Sequence, residues 1–160
     1  DKVLAHLGKP RQKSTEDLPI GGGRGYSSDA AEQKRQIDGF AAWTGLSKER
    51  LQILYDRYGT RTEAVATFIN RDAAVDDPMN TLPEYTRREI AFLAQSEKAI
   101  HLDDILLRRT MLAMLGRLTK ANVEEIADAM GAALSWSVEQ KAAEVERTLR
   151  LLADRHGVRL

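Results

Sequence analysis

Residues 137–157, which read SVEQKAAEVERTLRLLADRHG, carry the strongest signal for the fold of this chain. Their apolar residues recur at spacings of four and three, the period of an amphipathic helix: Val138, Ala142, Val145, Leu149 and Leu152. Ser137 with Gln140 forms a capping box at the start, and Gly157 is the residue type that most readily ends a helix in the left-handed conformation. The stretch therefore predicts one long helix with both ends marked.

Helical periodicity continues upstream as far as about residue 29. The segments with apolar residues on one helical face are 29–45, 46–59, 60–69, 83–94, 102–115 and 122–134. Nowhere do two neighbouring segments alternate with the period of two that strands require. The sequence therefore predicts an all-α fold, a helical bundle of about six to seven helices preceded by an irregular N-terminal arm.

Capping residues indicate where several of these helices begin. Ser47 is a good N-cap, and Thr60–Glu63 and Thr86–Glu89 each have the spacing of a capping box. Thr81–Glu84 competes with the box at Thr86, so the start of that helix stays open between Thr81 and Thr86.

The segment from Leu102 to Leu115 is the most apolar of the predicted helices. Its apolar side chains point in several directions, which is typical of a helix buried centrally among others. Two arginines, Arg108 and Arg109, interrupt it. A guanidinium in a dry place is costly unless acceptors meet it, so both side chains are expected to have partners.

The N-terminal stretch, residues 1–28, differs from the rest of the chain. Pro10, Pro19 and the glycine-rich run at residues 21–25 break any regular pattern. We predict two parts: a linker or extended arm from an upstream domain at 1–28, and a helical C-terminal domain at 29–160.

Composition limits the function classes. The 160 residues contain 24 Lys plus Arg and 24 Asp plus Glu, and this balance argues against a general nucleic-acid binder. There is no Cys, which excludes disulfides and thiolate chemistry, and no apolar run is long enough for a membrane span. Because the chain begins Asp1-Lys2-Val3 rather than with Met, we expect a segment of a longer protein or a processed chain.

The sequence points to no catalytic, cofactor-binding or metal-binding residue. Gly23-Arg24-Gly25 lacks both the preceding strand and the third glycine of a dinucleotide fingerprint, so the linker interpretation is favoured. His6, His101 and His156 lie far apart and have no metal-ligand spacing.

Four charged residues and one threonine lie together in the most apolar segment: Asp103, Asp104, Arg108, Arg109 and Thr110. Asp104 lies four residues before Arg108, so these two side chains can meet on one helical turn. Arg109 faces another way and needs a partner on another helix, on the arm or on another domain. We interpret the five residues as a structural or interdomain ion-pair network, and an anchor for an anionic ligand stays open as the alternative for the two arginines.

Several short motifs occur in a family order along the chain: Leu7-Gly8-Lys9, Leu18-Pro19-Ile20-Gly21-Gly22, Arg57-Tyr58-Gly59-Thr60, the stretch from Glu89 to Thr110, and Ala133-Leu134-Ser135-Trp136-Ser137. Through them the chain resembles the C-terminal helical domain of FAD-dependent glycerol-3-phosphate dehydrogenases and the related alpha-glycerophosphate oxidases. Residues 70–85 and the first six residues match this pattern less well.

The resemblance implies a parent enzyme that oxidises sn-glycerol 3-phosphate to dihydroxyacetone phosphate, with FAD as hydride acceptor and a quinone or oxygen as the final acceptor. It places the FAD fingerprint and the substrate-binding residues N-terminal to this domain. The expected partner is therefore an upstream FAD domain of the same chain, and a homo-oligomer is a further possibility. The implied location is the cytoplasm, with the parent able to bind the inner face of the cell membrane as a peripheral protein.

Two other function classes stay open from the residues. A free-standing helical protein-interaction module is one, in which Arg87, Arg88, Arg108 and Arg109 contact an acidic partner. A helix-turn-helix DNA binder at residues 46–70 is weaker, because its second helix offers just Arg61 and Arg71 as cations.

Overall fold

A computed structural model of the chain describes residues 2–12, 14, 16–71 and 76–160. The structure is 62% helical and holds no strand in these ranges, where an isolated bridge joins Pro78 to Thr86. The predicted all-α fold class is confirmed. By its contacts the chain divides into two compact units, residues 1–63 and residues 64–160. The proposed division into an arm at 1–28 and a domain at 29–160 stays a prediction.

The first unit is built from helices with well-defined ends. It contains α1 (Lys2–His6), α2 (Ala30–Thr44), α3 (Lys48–Tyr58) and a 3₁₀ turn at Gly59–Arg61. Asp29 and Ser47 cap α2 and α3 by accepting hydrogen bonds from backbone N–H groups of the first turn. Gly45 ends α2 in the left-handed region with φ 70°. The predicted cap at Ser47 is thus confirmed.

Tyr55 organises the core of this unit. It is fully buried on α3 together with Leu51 and Leu54, and its hydroxyl donates to Oε1 of Gln36 on α2 at 2.7 Å. The ring of Tyr26 stacks on it, with the centroids 5.3 Å apart and the planes at 18°. The residue that follows the glycine run is therefore bound to the helical core of the same unit.

The glycine run packs backbone against backbone on the turn after α3. The N–H of Thr60 donates to the carbonyl of Gly22 at 3.1 Å. A Cβ at Gly22 would lie 2.3 Å from the carbonyl oxygen of Tyr58, and one at Gly59 would lie 2.3 Å from that of Gly22. Both glycines also have positive φ, 84° and 56°. The glycines therefore permit a close approach, which the linker interpretation did not predict.

Thr60 corrects a second expectation. It lies within the 3₁₀ turn rather than at the cap of a helix, and α4 (Thr62–Asn70) begins two residues later. Its hydroxyl donates to the carbonyls of Gly22 at 3.2 Å and Arg24 at 2.9 Å. The capping box predicted at Thr60 is wrong because the α-helix begins at Thr62, after Thr60.

The second unit contains most of α4 and then α5 (Arg87–Ser96), α6 (Leu102–Asp104), a π-helical turn (Ile105–Arg109), α7 (Lys120–Leu134) and α8 (Val138–His156). Helices α5 and α7 make the most extensive contact, and their buried side chains include Ile90, Leu93, Val123, Ile126 and Met130. Ser137 caps α8, and Gly157 ends it with φ 67°. The long helix predicted at 137–157 is confirmed.

A buried carboxylate settles which threonine begins α5. Thr86 caps the helix by accepting from the N–H of Glu89 at 3.1 Å. Thr81 is held instead by Glu125 of α7, which accepts from its N–H at 2.8 Å and its hydroxyl at 2.6 Å. Glu125 also accepts from the N–H of Asn80 at 2.8 Å, so it clamps the loop before α5 onto α7.

The segment 102–115 departs most from its prediction. The α-helix covers Leu102–Asp104, continues as the π-helical turn, and stops at Thr110, whose backbone is extended. The hydroxyl of Thr110 donates to the carbonyl of Ile105 at 2.9 Å, which competes with continuation of the helix. The expected burial therefore holds for Leu102, Ile105, Leu106 and Leu112 but is wrong for Met111, Met114 and Leu115.

Candidate functional site

The five residues singled out in the sequence lie in one short segment, but they contact three different parts of the chain. Asp103 is buried on α6 and forms an ion pair with Arg147 of α8. Asp104 accepts from Arg108 Nη1 at 2.9 Å, so the ion pair expected on one turn is present. Arg109 donates to the backbone carbonyl of Glu97 at 3.1 Å, after the end of α5.

The contact of Asp103 belongs to a compact ion cluster, which we define as His101, Asp103, Glu144 and Arg147. Arg147 donates through Nε to Oε1 of Glu144 at 2.9 Å and through Nη2 to Oε2 at 3.1 Å. Glu144 Oε2 also accepts from the N–H of Leu102 at 3.2 Å, and its Oε1 lies 3.0 Å from Nδ1 of His101. The cluster thus fastens the start of α6 to α8.

Opposing effects act on the titration of this cluster. Burial alone raises the pKa of Glu144, but hydrogen bonds from Arg147, Leu102 and His101 outweigh it and hold the pKa below its usual value. The pKa of Arg147 is raised, chiefly by its hydrogen bond to Glu144, although burial opposes this. Glu144 is therefore an acceptor-only carboxylate at neutral pH, as its three donors require.

Sequence reasoning missed Glu144 and Arg147. Their spacing on the predicted helix shows that they can pair with each other, but nothing local indicates that α6 lies against that face. The information that joins Asp103 to Arg147 is tertiary, across 44 residues of sequence.

Arg108 and Arg109 are exposed, contrary to the dry environment expected for them. The side chain of Arg108 is 68% exposed even while paired with Asp104. Beyond them the chain runs through a turn, defined here as the 111–115 turn, in which Met111, Met114 and Leu115 are 52%, 80% and 59% exposed. Within eight residues, two cations and three large apolar side chains are thus exposed to solvent, while Leu112 between them is buried.

The glycine run does not have the geometry of a turn that binds the pyrophosphate of FAD. An FAD site needs a glycine-rich turn whose backbone can approach a pyrophosphate. The run at 21–25 is the candidate, but Gly22 has the carbonyl of Tyr58 where a ligand would lie. Among the described residues, no group of three His, Asp or Glu side chains could hold a metal ion. In the same ranges no helix combines the length and apolarity that crossing a bilayer needs.

Fold and site together define an all-helical chain with an ion cluster that joins α6 to α8 and, beside two arginines, a turn with exposed apolar side chains. Comparison with known proteins gives the family. Residues 13–141 match the family described as "C-terminal domain of alpha-glycerophosphate oxidase". The chain belongs to this family.

The similar proteins include glycerol-3-phosphate dehydrogenases. Glycerol-3-phosphate dehydrogenase 2 of Mycobacterium tuberculosis is 29% identical over 136 residues, which cover 83% of this chain and 22% of that protein. Glycerol-3-phosphate dehydrogenase of Mycobacterium leprae is 31% identical over 111 residues, covering 69% of this chain and 19% of that protein. The chain thus spans about a fifth of the length of these relatives. No solved structure gives a significant match.

Proposed function

We propose that this chain is the non-catalytic C-terminal part of an FAD-dependent sn-glycerol-3-phosphate dehydrogenase and that it braces the flavin domain. In this proposal the full-length protein oxidises glycerol 3-phosphate to dihydroxyacetone phosphate. FAD bound to the upstream domain is the hydride acceptor. The family match supports the assignment to this enzyme. The observation that carries the bracing role is the exposed 111–115 turn beside Arg108 and Arg109.

The exposed side chains of this turn have the chemistry of a contact surface. Exposed Met, with its flexible polarizable chain, adapts to an irregular partner, and Leu115 adds apolar area. A guanidinium has five N–H donors, and the described contacts of Arg108 and Arg109 each use one of them. A partner with an apolar patch rimmed by carboxylates or carbonyls fits this surface, and the upstream domain is the partner we assign.

The structural role of the five predicted residues follows from the same proposal. Asp103 and the ion cluster fasten α6 to α8, while Asp104 and Thr110 shape the turn that presents Arg108 and Arg109. The proposal places the protein in the cytoplasm, with the parent able to bind the inner face of the cell membrane as a peripheral protein. It leaves room for a homo-oligomer.

The division of labour has a direct test on the chain itself. The 160-residue chain is mixed with FAD, glycerol 3-phosphate and an artificial electron acceptor. We expect neither a yellow complex nor turnover, because the glycine run is filled by backbone. Stoichiometric flavin binding with turnover contradicts the proposal that the chemistry lies in the upstream part.

The bracing role is tested in the full-length protein with Met114→Glu, which places a charge in the 111–115 turn. We expect flavin retention and thermal stability of the holoenzyme to fall, since the apolar contact is lost. Val138→Glu is the matched control, because Val138 is also exposed, at 74%, but lies on α8. Equal effects of the two variants, or none from Met114→Glu, contradict the assignment of this surface.

The alternative is a free-standing protein-interaction module. The DNA sequence upstream of the codon for Asp1 distinguishes it from the proposal. A flavin-binding reading frame fused in phase upstream of Asp1 supports the dehydrogenase. A start codon beside Asp1 supports the independent module.

A further inference from the structure

A cleft in the second unit brings three arginines together away from the 111–115 turn. It has a volume of about 510 Å³ and lies between the end of α4 and the faces of α5 and α7. We call it the arginine cleft and define it by its lining residues Arg71, Arg87, Arg88, Ala91, Ala132 and Ala133. Its volume falls in the range of small-molecule sites.

Two of the three guanidinium groups are fixed by the protein. Arg88 donates through Nη2 to the carbonyls of Phe68 at 2.8 Å and Ile69 at 3.3 Å, so it caps the end of α4. Arg87 donates to Oε1 of the buried Glu125 at 3.2 Å. Because these contacts orient the arginines before any ligand arrives, a ligand loses less entropy on binding to them.

Two of the cations contact the same aromatic ring. The guanidinium of Arg88 lies 5.1 Å and that of Arg71 5.9 Å from the centroid of the same ring, Phe68. Both charges attract an anion that enters the cleft. The electrostatics of the cleft therefore favour an anion.

The described lining residues carry more positive than negative charge. Among the lining residues there are three arginines and one acid, Asp128. Asp128 is paired with Lys141 of α8, and Glu125 accepts from two backbone N–H groups besides Arg87. The local balance at the lining is thus positive.

Methyl groups leave the space above the helices open. Three of the lining residues, Ala91 of α5 and Ala132 and Ala133 of α7, have side chains of a single methyl group. A tetrahedral anion can accept several hydrogen bonds from the guanidinium groups. A small organic group attached to that anion has room over the alanine methyl groups. We propose that the arginine cleft binds a phosphate group, either free phosphate or that of a small phosphate monoester.

The proposal is tested on the 160-residue chain by calorimetry and by amide NMR shifts, with inorganic phosphate and phenyl phosphate as probes. Ionic strength is held constant with sodium chloride. We expect saturable shifts at Ala132 and Ala133 with a Kd of about 1 mM, typical of a small anion with few contacts. Tighter binding of phenyl phosphate identifies a monoester site, and equal binding identifies free phosphate as the ligand.

Matched variants separate a site from general attraction of anions. Ala132→Glu puts a carboxylate into the cleft and should abolish binding, whereas Ala132→Gln adds similar bulk without charge and should weaken it less. Arg71→Ala should weaken binding by about tenfold, the loss of one charged contact. Arg155→Ala removes an exposed cation on α8 and should change nothing.

Three results overturn the proposal: shifts that grow linearly without saturation, unchanged binding in Ala132→Glu, or equal losses in Arg71→Ala and Arg155→Ala. Arg88 is not substituted, because its contacts with α4 make a folding defect expected. Thermal unfolding of each variant confirms that a loss of binding is not a loss of fold. None of these outcomes depends on the proposed dehydrogenase role.

Discussion

Gly22 and Gly59 lie where two backbone segments pass too closely for a side chain. We expect Gly22→Ala to lower the free energy of unfolding by at least about 2 kcal/mol, because its Cβ meets the Tyr58 carbonyl and its positive φ is strained. Thermal unfolding followed by circular dichroism measures this.

Gly39 is the matched control for that substitution. It lies within α2, has no atom within 4 Å of a built Cβ, and is not among the glycines with positive φ. Gly39→Ala should therefore stabilise the chain by about 0.5–1 kcal/mol through helix propensity. Similar destabilisation by both alanines contradicts the proposed role of the close approach.

Arg147 is the residue on which the ion cluster depends. Arg147→Met keeps the length of the side chain but leaves Asp103 and Glu144 without their cation. We expect a loss of about 1–2 kcal/mol, less than for a fully buried pair because the side chain of Arg147 is 38% exposed. Arg150→Met, at an exposed pair one turn along α8, should cost less than about 0.5 kcal/mol in the same denaturant titration.

At the scale of elements, Glu125 makes the packing of the loop 78–86 onto α7 sensitive to acid. Burial raises the pKa of Glu125, but hydrogen bonds from Thr81 and Asn80 and the charge of Arg87 outweigh it and lower the pKa below its ordinary 4.5. A carboxylate with a lowered folded-state pKa stabilises the fold above its unfolded pKa. That contribution is lost as the pH falls through the folded value.

Glu125→Gln removes this titration. At pH 7 the variant should be less stable than the natural chain by about 1–3 kcal/mol, since donors now face an amide. The difference should shrink as the pH falls below about 4.5, where the natural carboxylate becomes protonated. Urea unfolding between pH 7 and pH 3 measures it, with the exposed Glu146→Gln as control. A difference that is constant across this range rules out the titration of Glu125 as its cause.

The sequence predicted those elements whose ends and faces are set locally. Ser137 and Gly157 bound α8 as expected, because caps and left-handed glycines act within one turn. The segment 102–115 could not be read in this way. Its apolar composition is the same for a buried helix and for an exposed turn, and the structure ends the helix at Thr110. The position of Thr60 could not be predicted for a similar reason, because the carbonyl of Gly22 that it contacts lies 38 residues earlier.

In the candidate site, too, contacts between sequence neighbours could be predicted and contacts between distant helices could not. The pair Asp104 and Arg108 could be predicted, because residues four apart on a helix are neighbours. The pairing of Asp103 with Arg147 depends on which helices pack together, as does the meeting of Arg71 with Arg88 at Phe68. The exposure of Met111, Met114 and Leu115 could not be predicted either, since the sequence does not show whether an apolar residue lies in a core or on a surface.

At the scale of the whole molecule, Arg109 separates what this chain needs for its own fold from what a larger protein needs. Its guanidinium is exposed and its described contact is one backbone carbonyl. Arg109→Leu should therefore change the stability of the 160-residue chain by no more than about 0.5 kcal/mol. In the full-length protein the same substitution should lower flavin retention, because the proposed contact with the upstream domain loses a charged donor. Thermal unfolding of the chain and the flavin content of the purified holoenzyme provide the two measurements. A loss of about 2 kcal/mol or more in the chain alone assigns Arg109 to the internal structure and removes it from the proposed interface.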